Sequence, residues 1–216
     1  NQAEVNKFIR SHKPDYVFHL AAKVGGILAN MEYPAEFMYD NLMMAGNIIE
    51  ASRLNGVKKL LFMGSSCIYP KLTEQPMKES SLLTGSLEPT NEGYSLSKIA
   101  GLKLIEYYNK QYGLNYISVM PPNLYGLNDS FDPKHSHVIS ALIRKFHEAK
   151  QNDSAKVVLW GSGMARREFM FTNDVVDGLI FLMQNFHGNS HKNLGTSTDI
   201  SILELADLIR NIVGFN

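Results

Sequence analysis

The stretch Tyr94-Ser95-Leu96-Ser97-Lys98 places a phenol and an ammonium four residues apart. On a helix that spacing puts both side chains on one face. Upstream, Gly64-Ser65-Ser66-Cys67-Ile68-Tyr69-Pro70 is a small-residue turn closing the apolar run Lys59-Leu60-Leu61-Phe62-Met63. A serine, a tyrosine and a lysine brought together can protonate or deprotonate a sugar oxygen. The ammonium lowers the tyrosine pKa by stabilising phenolate, and the serine hydroxyl holds the substrate oxygen. Reduction of a ketone by hydride needs such a proton donor. Tyrosine and lysine at this spacing also arise by chance, as an exposed helix start, so the weight rests on the order of the elements around them.

Those elements alternate between strand and helix patterns, the signature of a parallel sheet covered by helices. Helices are predicted over residues 3–11, 34–55, 93–112, 137–150, 172–185 and 201–213, and strands over 16–22, 57–63, 115–120, 156–160 and 193–195. Gly56 and Gly113 stand where two of the helices stop. Thr172 or Asn173 is expected to cap one helix, and Ser201 with Glu204 another. Pro70 to Asn91 reads as a long loop, Pro121 to Gly126 as a turn, and Gly161-Ser162-Gly163 as a second turn. The strand at 57–63 feeds the Tyr94 helix through one connection, which places Ser65 and Tyr94 at the same sheet edge.

Composition narrows the function classes. The chain has 216 residues, 44% hydrophobic and 19% charged, with 21 basic and 21 acidic side chains. That is enough for a sizeable core, and the zero net charge gives no support for a nucleic-acid binder. Cys67 is the only cysteine, so no disulfide forms within the chain and a reducing compartment, the cytoplasm, is expected. No apolar run reaches the length of a membrane-spanning helix. The histidines and the cysteine show no metal-ligand spacing.

The motifs Gly64 to Lys71, Leu87 to Glu92, Tyr94 to Lys98, Asn123-Leu124-Tyr125-Gly126, Ser136-His137-Val138-Ile139 and Trp160-Gly161-Ser162-Gly163 with Arg167-Glu168-Phe169 resemble, in this order, the extended short-chain dehydrogenase/reductase family of nucleotide-sugar enzymes. The resemblance covers nearly the whole chain. It implies an α/β fold with a Rossmann-type doubly wound parallel sheet and a smaller, interleaved substrate-binding region. Residues 1–126 are expected to form the NADP-binding part. Residues 127–216 are expected to be mostly substrate-binding, with 169–195 returning to the Rossmann part. Relative to the family, the chain is expected to begin after the Gly-rich phosphate loop and to end before the last part of the substrate region. Phe171-Thr172-Asn173-Asp174 stands where such proteins usually have His-Val-Asp-Asp.

The resemblance also implies an activity: NADPH-dependent 3,5-epimerisation and 4-reduction of GDP-4-keto-6-deoxy-D-mannose, by a homodimer. Tyr94 is then the general acid, Lys98 its partner and a ribose ligand, and Ser65 a hydrogen-bond donor to the C4 oxygen. Cys67 is the base at carbon and His137 the opposing acid. Read alone, Cys67 is better taken as a small buried hydrophobe, the usual state of a lone cysteine, and His135 rivals His137. Met63, Gly64, Ser65, Ser66, Lys98, Pro121, Pro122, Asn123, Leu124 and His137 are expected to line the cofactor. Lys145, Trp160 and Arg167 are expected to contact substrate, with Arg166 as an alternative to Arg167 for a diphosphate. Gly25 and Gly26, in a turn without the three-glycine phosphate-loop spacing, are expected to face substrate. Within the same fold, another nucleotide-sugar epimerase or dehydratase is the rival reading. Outside catalysis, the rival is a cofactor- or nucleotide-sugar-binding protein.

Overall fold

The computed structural model describes residues 1–132 and 136–215. In chain order the elements are α1 (Gln2–His12), β1 (Tyr16–His19), α2 (Ile27–Glu32), α3 (Pro34–Leu54), β2 (Lys59–Met63), α4 (Glu92–Tyr112), β3 (Ile117–Met120) and β4 (Asn123–Tyr125). They continue with α5 (Val138–Gln151), β5 (Arg166–Arg167), β6 (Phe169–Phe171), α6 (Thr172–Asn185), β7 (Lys192–Asn193), β8 (Ile200–Ser201) and α7 (Ile202–Val213).

A four-stranded parallel sheet in the order β1-β2-β3-β7 carries the site. Alternate side chains of a strand point to opposite faces, and β2 is apolar on both. Leu60 and Phe62 pack with Ile49 of α3, Ile105 of α4 and Ile9 of α1. Leu61 turns the other way, with Ile117 and Val119 of β3, onto Val175, Leu179 and Met183 of α6. Helices therefore cover both faces, which is the Rossmann-type arrangement and explains why β2 reads as a continuous apolar run. Gly101 lets α4 close on the sheet: a Cβ there would lie 2.6 Å from the Phe62 ring.

A second core lies between α5 and α7. Leu142 and Phe146 of α5 meet Leu205, Ala206 and Ile209 of α7, with Val157, Leu159 and Phe169 packed against them. The expected Ser201 cap is present as a full capping box. Glu204 N–H donates to Ser201 Oγ at 3.2 Å, and Ser201 N–H donates to Glu204 Oε2 at 2.8 Å.

Several local expectations are corrected. The segment 156–160 is not a strand. Its burial alternates as a strand's would, but no described strand lies beside it to complete a ladder. Asn123–Tyr125 is not a turn but pairs in parallel with β6, a partner 46 residues downstream. Neither Thr172 nor Asn173 caps α6; Phe171 holds that position without a side-chain bond. The strand at β1 stops at His19 rather than Ala22, and the short helix α2 was not expected. Among the described residues, no helix is long and apolar enough to cross a membrane, and no side-chain cluster is suited to a metal ion.

Candidate active site

The carboxyl ends of β2 and β3 are tied together. Gly64 N–H donates to Val119 O at 2.8 Å, and Ser66 N–H donates to Pro121 O at 3.2 Å. A Cβ on Gly64 would press on the Met120 thioether, so a larger residue there would require that side chain to move. The turns Met63–Ser66 and Pro121–Leu124 thus form one ledge at the sheet edge. Ser65 then starts a single 3-10 turn, Ser66–Ile68, by accepting a hydrogen bond from Cys67 N–H at 3.3 Å.

Tyr94 and Lys98 rise from the first turns of α4 against this ledge. Ser97 Oγ donates to Tyr94 O at 2.6 Å, and Ser95 and Ser97 are buried, so the start of the helix is packed on both sides of the tyrosine. Lys98 is 4% exposed. Its Nζ donates to Met63 O at 2.8 Å and lies 5.0 Å from the Phe62 ring centroid and 5.8 Å from that of Tyr94. Burial pushes the Lys98 ammonium down to about 8. His19, buried at the end of β1, is pushed down to about 4 by burial and then by the Lys98 charge, so it is neutral at pH 7.

Tyr94 is half-buried as a residue, and its hydroxyl is the deeper end. Burial raises its pKa, the Cys67 charge raises it further, and the neighbouring Ser65 hydroxyl works the other way. The expectation of a depressed tyrosine pKa is therefore corrected for the chain by itself: burial sets the direction of the shift. The phenol keeps its proton at neutral pH, the state a general acid needs.

Ser65, Cys67, Tyr94, Lys98 and Met63 are thus brought together. A cavity of about 200 Å³ opens beside them, lined by Asn30, Met31, Pro34 and residues 89–94. His137 is exposed and stands at the N-cap of α5 without a side-chain cap bond. The preceding residue closes on the turn after β1, where a Cβ on Gly26 would lie 3.4 Å from Ser136 O. His135 lies outside the described residues.

Lys145 and Trp160 form a separate pair. The Lys145 ammonium sits 4.9 Å from the Trp160 ring centroid and donates to Val158 O at 3.2 Å. Trp160 is 70% exposed. The two arginines of β5 differ. Arg166 is bound to Asp199 at 2.8 Å and to Glu204 at 3.3 Å. Arg167, also exposed, donates to Arg166 O at 2.7 Å and has no acidic partner among the described residues.

Asn91 and His19 had been given no role. Asn91 Nδ2 donates to Cys67 Sγ at 3.3 Å. Asn91 lay within the motif Leu87 to Glu92, and nothing local in the sequence marks its contact with Cys67, 24 residues away. His19 sits in a strand pattern that gives no sign of the Lys98 charge on α4.

Residues 1–195 match the NAD dependent epimerase/dehydratase family. The chain is 54% identical over 99% of its length to a GDP-L-fucose synthase of Sinorhizobium fredii, covering 68% of that protein. It is 53% identical over 98% of its length to the GDP-L-fucose synthase of Escherichia coli, again covering 68% of it. In structure it resembles a GDP-L-fucose synthetase from Naegleria fowleri bound to NADP, with a TM-score of 0.91 at 30% identity, covering 100% of this chain and 66% of that one. The chain spans about two thirds of the length of these curated relatives. With a parallel sheet, a tyrosine and lysine on the helix after its second strand, and these matches over nearly all its residues, the chain belongs to the NAD dependent epimerase/dehydratase family.

Proposed function

We propose that the chain takes part in NADPH-dependent 3,5-epimerisation and 4-reduction of GDP-4-keto-6-deoxy-D-mannose, giving GDP-L-fucose. The observation that carries this reading is the pairing of half-buried Tyr94 with buried Lys98, with the Cys67 thiol on the turn facing the tyrosine. The relatives' names supply the substrate.

The residues present fit the nicotinamide and ribose end of the cofactor. Gly64 carries no side chain on the ledge, where it packs against the Met120 thioether. Lys98 spends one of its N–H groups on Met63 O, and the others remain for a ribose hydroxyl. Bound NADPH supplies the hydride that reduces C4. Tyr94 gives its proton to the C4 oxygen as charge develops there, and Ser65 donates a hydrogen bond to the same oxygen. Before that step the C4 ketone acidifies the protons on C3 and C5. Cys67 as thiolate removes a proton from carbon, and His137 returns one to the opposite face. Lys145 and Trp160 hold the nucleotide-sugar, and Arg167 grips the diphosphate with its two-pronged guanidinium. Arg166, bound by two carboxylates, is the weaker choice.

In this reading residues 1–126 with 169–195 hold the cofactor, and the α5–α7 core carries most of the substrate contacts. Two copies pair through α3 and α4, where Tyr39, Leu42, Met43 and Leu96 are exposed; sedimentation equilibrium tests this. A cytoplasmic location fits the single unpaired cysteine. The deciding experiment is incubation of the full-length protein with GDP-4-keto-6-deoxy-mannose and NADPH, with identification of the product. Formation of GDP-L-fucose with equimolar NADPH oxidation is expected. No oxidation, or an unepimerised product, overturns the reading.

A further inference from the structure

Asn91 occupies the N-cap of α4, the place where an asparagine side chain ordinarily bonds the first backbone N–H groups of the helix. Here it makes no such bond. Its Nδ2 donates instead to Cys67 Sγ at 3.3 Å, across 24 residues of sequence. The other end of the carboxamide is fixed as well: Ser95 Oγ, fully buried, donates to Asn91 Oδ1 at 3.4 Å. Because a hydroxyl proton is available to Oδ1, the amide is oriented with its N–H groups toward the sulfur. The backbone is held by Asn91 N–H donating to Glu88 O at 3.2 Å at the end of the 3-10 turn Pro89–Asn91.

We propose that Asn91 is a positioning residue for Cys67, holding and aiming its sulfur as the thiolate. The inference rests on the proposed role of Cys67 as the base at carbon. A donor aimed at sulfur favours the charged form over the thiol, and a thiolate, not a thiol, is the base that removes a carbon-bound proton. The arrangement also orders the chemistry. Burial, and after it charge on Cys67, raise the Tyr94 pKa, so the phenol keeps its proton while the thiolate works. The Lys71–Glu88 ion pair, 3.0 Å long, joins the segments flanking Cys67 and Asn91, and Lys98, one turn beyond Tyr94 on α4, has its ammonium on Met63 O.

Cys67 is the only cysteine, so alkylation reads it directly and needs no substrate. The experiment measures the rate of iodoacetamide labelling against pH in the full-length protein. Wild type is compared with Asn91→Ala, with Asn91→Asp, which keeps the shape and is an equally good N-cap residue, and with Ser95→Ala. The labelling midpoint should rise by about one pH unit in Asn91→Ala. It should rise further in Asn91→Asp, where a carboxylate faces the sulfur, and less in Ser95→Ala. In D₂O, deuterium uptake at C3 and C5 should fall in step with the midpoint, while reduction at C4 of already epimerised ketone changes less. Midpoints that stay at the wild-type value in both Asn91 variants overturn the proposal. Midpoints that rise while deuterium uptake is unchanged uphold the Asn91–Cys67 coupling and overturn instead the role of Cys67 as the base.

Discussion

The two ends of the candidate site are built differently. At the reaction end, Lys98 is 4% exposed and hydrogen-bonded to Met63 O, and the ledge beneath it is tied by backbone bonds between two central strands. At the recognition end, Trp160 is 70% exposed, held by one lysine, and Arg167 lies on a two-residue strand in a two-stranded sheet. The difference teaches where the fold invests its rigidity. Proton transfer requires heavy atoms within hydrogen-bond reach and tuned pKa values, and both come from burial. Gripping a flexible, charged nucleotide-sugar tolerates adjustable side chains, and long exposed cations provide them.

The largest expected effect lies at the buried end. Tyr94→Phe keeps the ring packing and removes the proton. The reductive rate should fall by ~10²-fold or more with little change in substrate affinity. Stopped-flow NADPH oxidation and a substrate titration separate the two. A near-normal rate would mean that another group delivers the proton, and the contrast between the two ends would lose its chemical basis.

A smaller effect tests burial itself. Lys98 titrates near 8 in the folded chain against 10.5 ordinarily. Below pH 8 it is charged in both the folded and unfolded states, and the full desolvation penalty is present. Between 8 and 10.5 the unfolded chain binds more protons, so the Lys98 contribution to stability rises with pH. Above that window both states are neutral and the penalty is gone. The total is on the order of 3 kcal/mol. Lys98→Met should remove this rise, so urea unfolding of wild type and variant should diverge between pH 7.5 and 9.5. Parallel pH profiles would show that Lys98 is better hydrated than its burial implies.

The same contrast governs how much was legible in the sequence. Tyr94 and Lys98 could be placed because helix spacing and an all-apolar preceding strand are local patterns. Ser201 and Glu204 were readable for the same reason. The strand Asn123–Tyr125 was not, because its partner Phe169–Phe171 is far along the chain and nothing local records the pairing. The segment 156–160 failed in the opposite sense: it has the alternation of a strand but no neighbour among the described residues. The Tyr94 pKa was read with the wrong sign because spacing shows the lysine but not the depth of burial. Asn91 was given no role of its own because its contact with Cys67 spans 24 residues and nothing local records it.

The smallest effect belongs to the exposed end, and it separates two adjacent arginines. On β5, which pairs antiparallel with β8, Arg166 and Arg167 point to opposite faces. Arg166 faces Asp199 and Glu204 and is bound to both. Among the described residues, Arg167 commits one guanidinium N–H group, donated to the neighbouring carbonyl. Arg167→Lys retains the charge and loses the two-pronged geometry, so KM for the GDP-sugar should rise by roughly 10-fold with kcat nearly unchanged. Arg166→Lys should leave KM at the wild-type value, because its partners are within the protein and not the ligand. Steady-state kinetics on the two variants read this directly. If Arg166→Lys raises KM and Arg167→Lys does not, the ligand competes with Asp199 and Glu204 for Arg166. The recognition end would then rearrange on binding, and its looseness in the free chain would be a step in substrate capture.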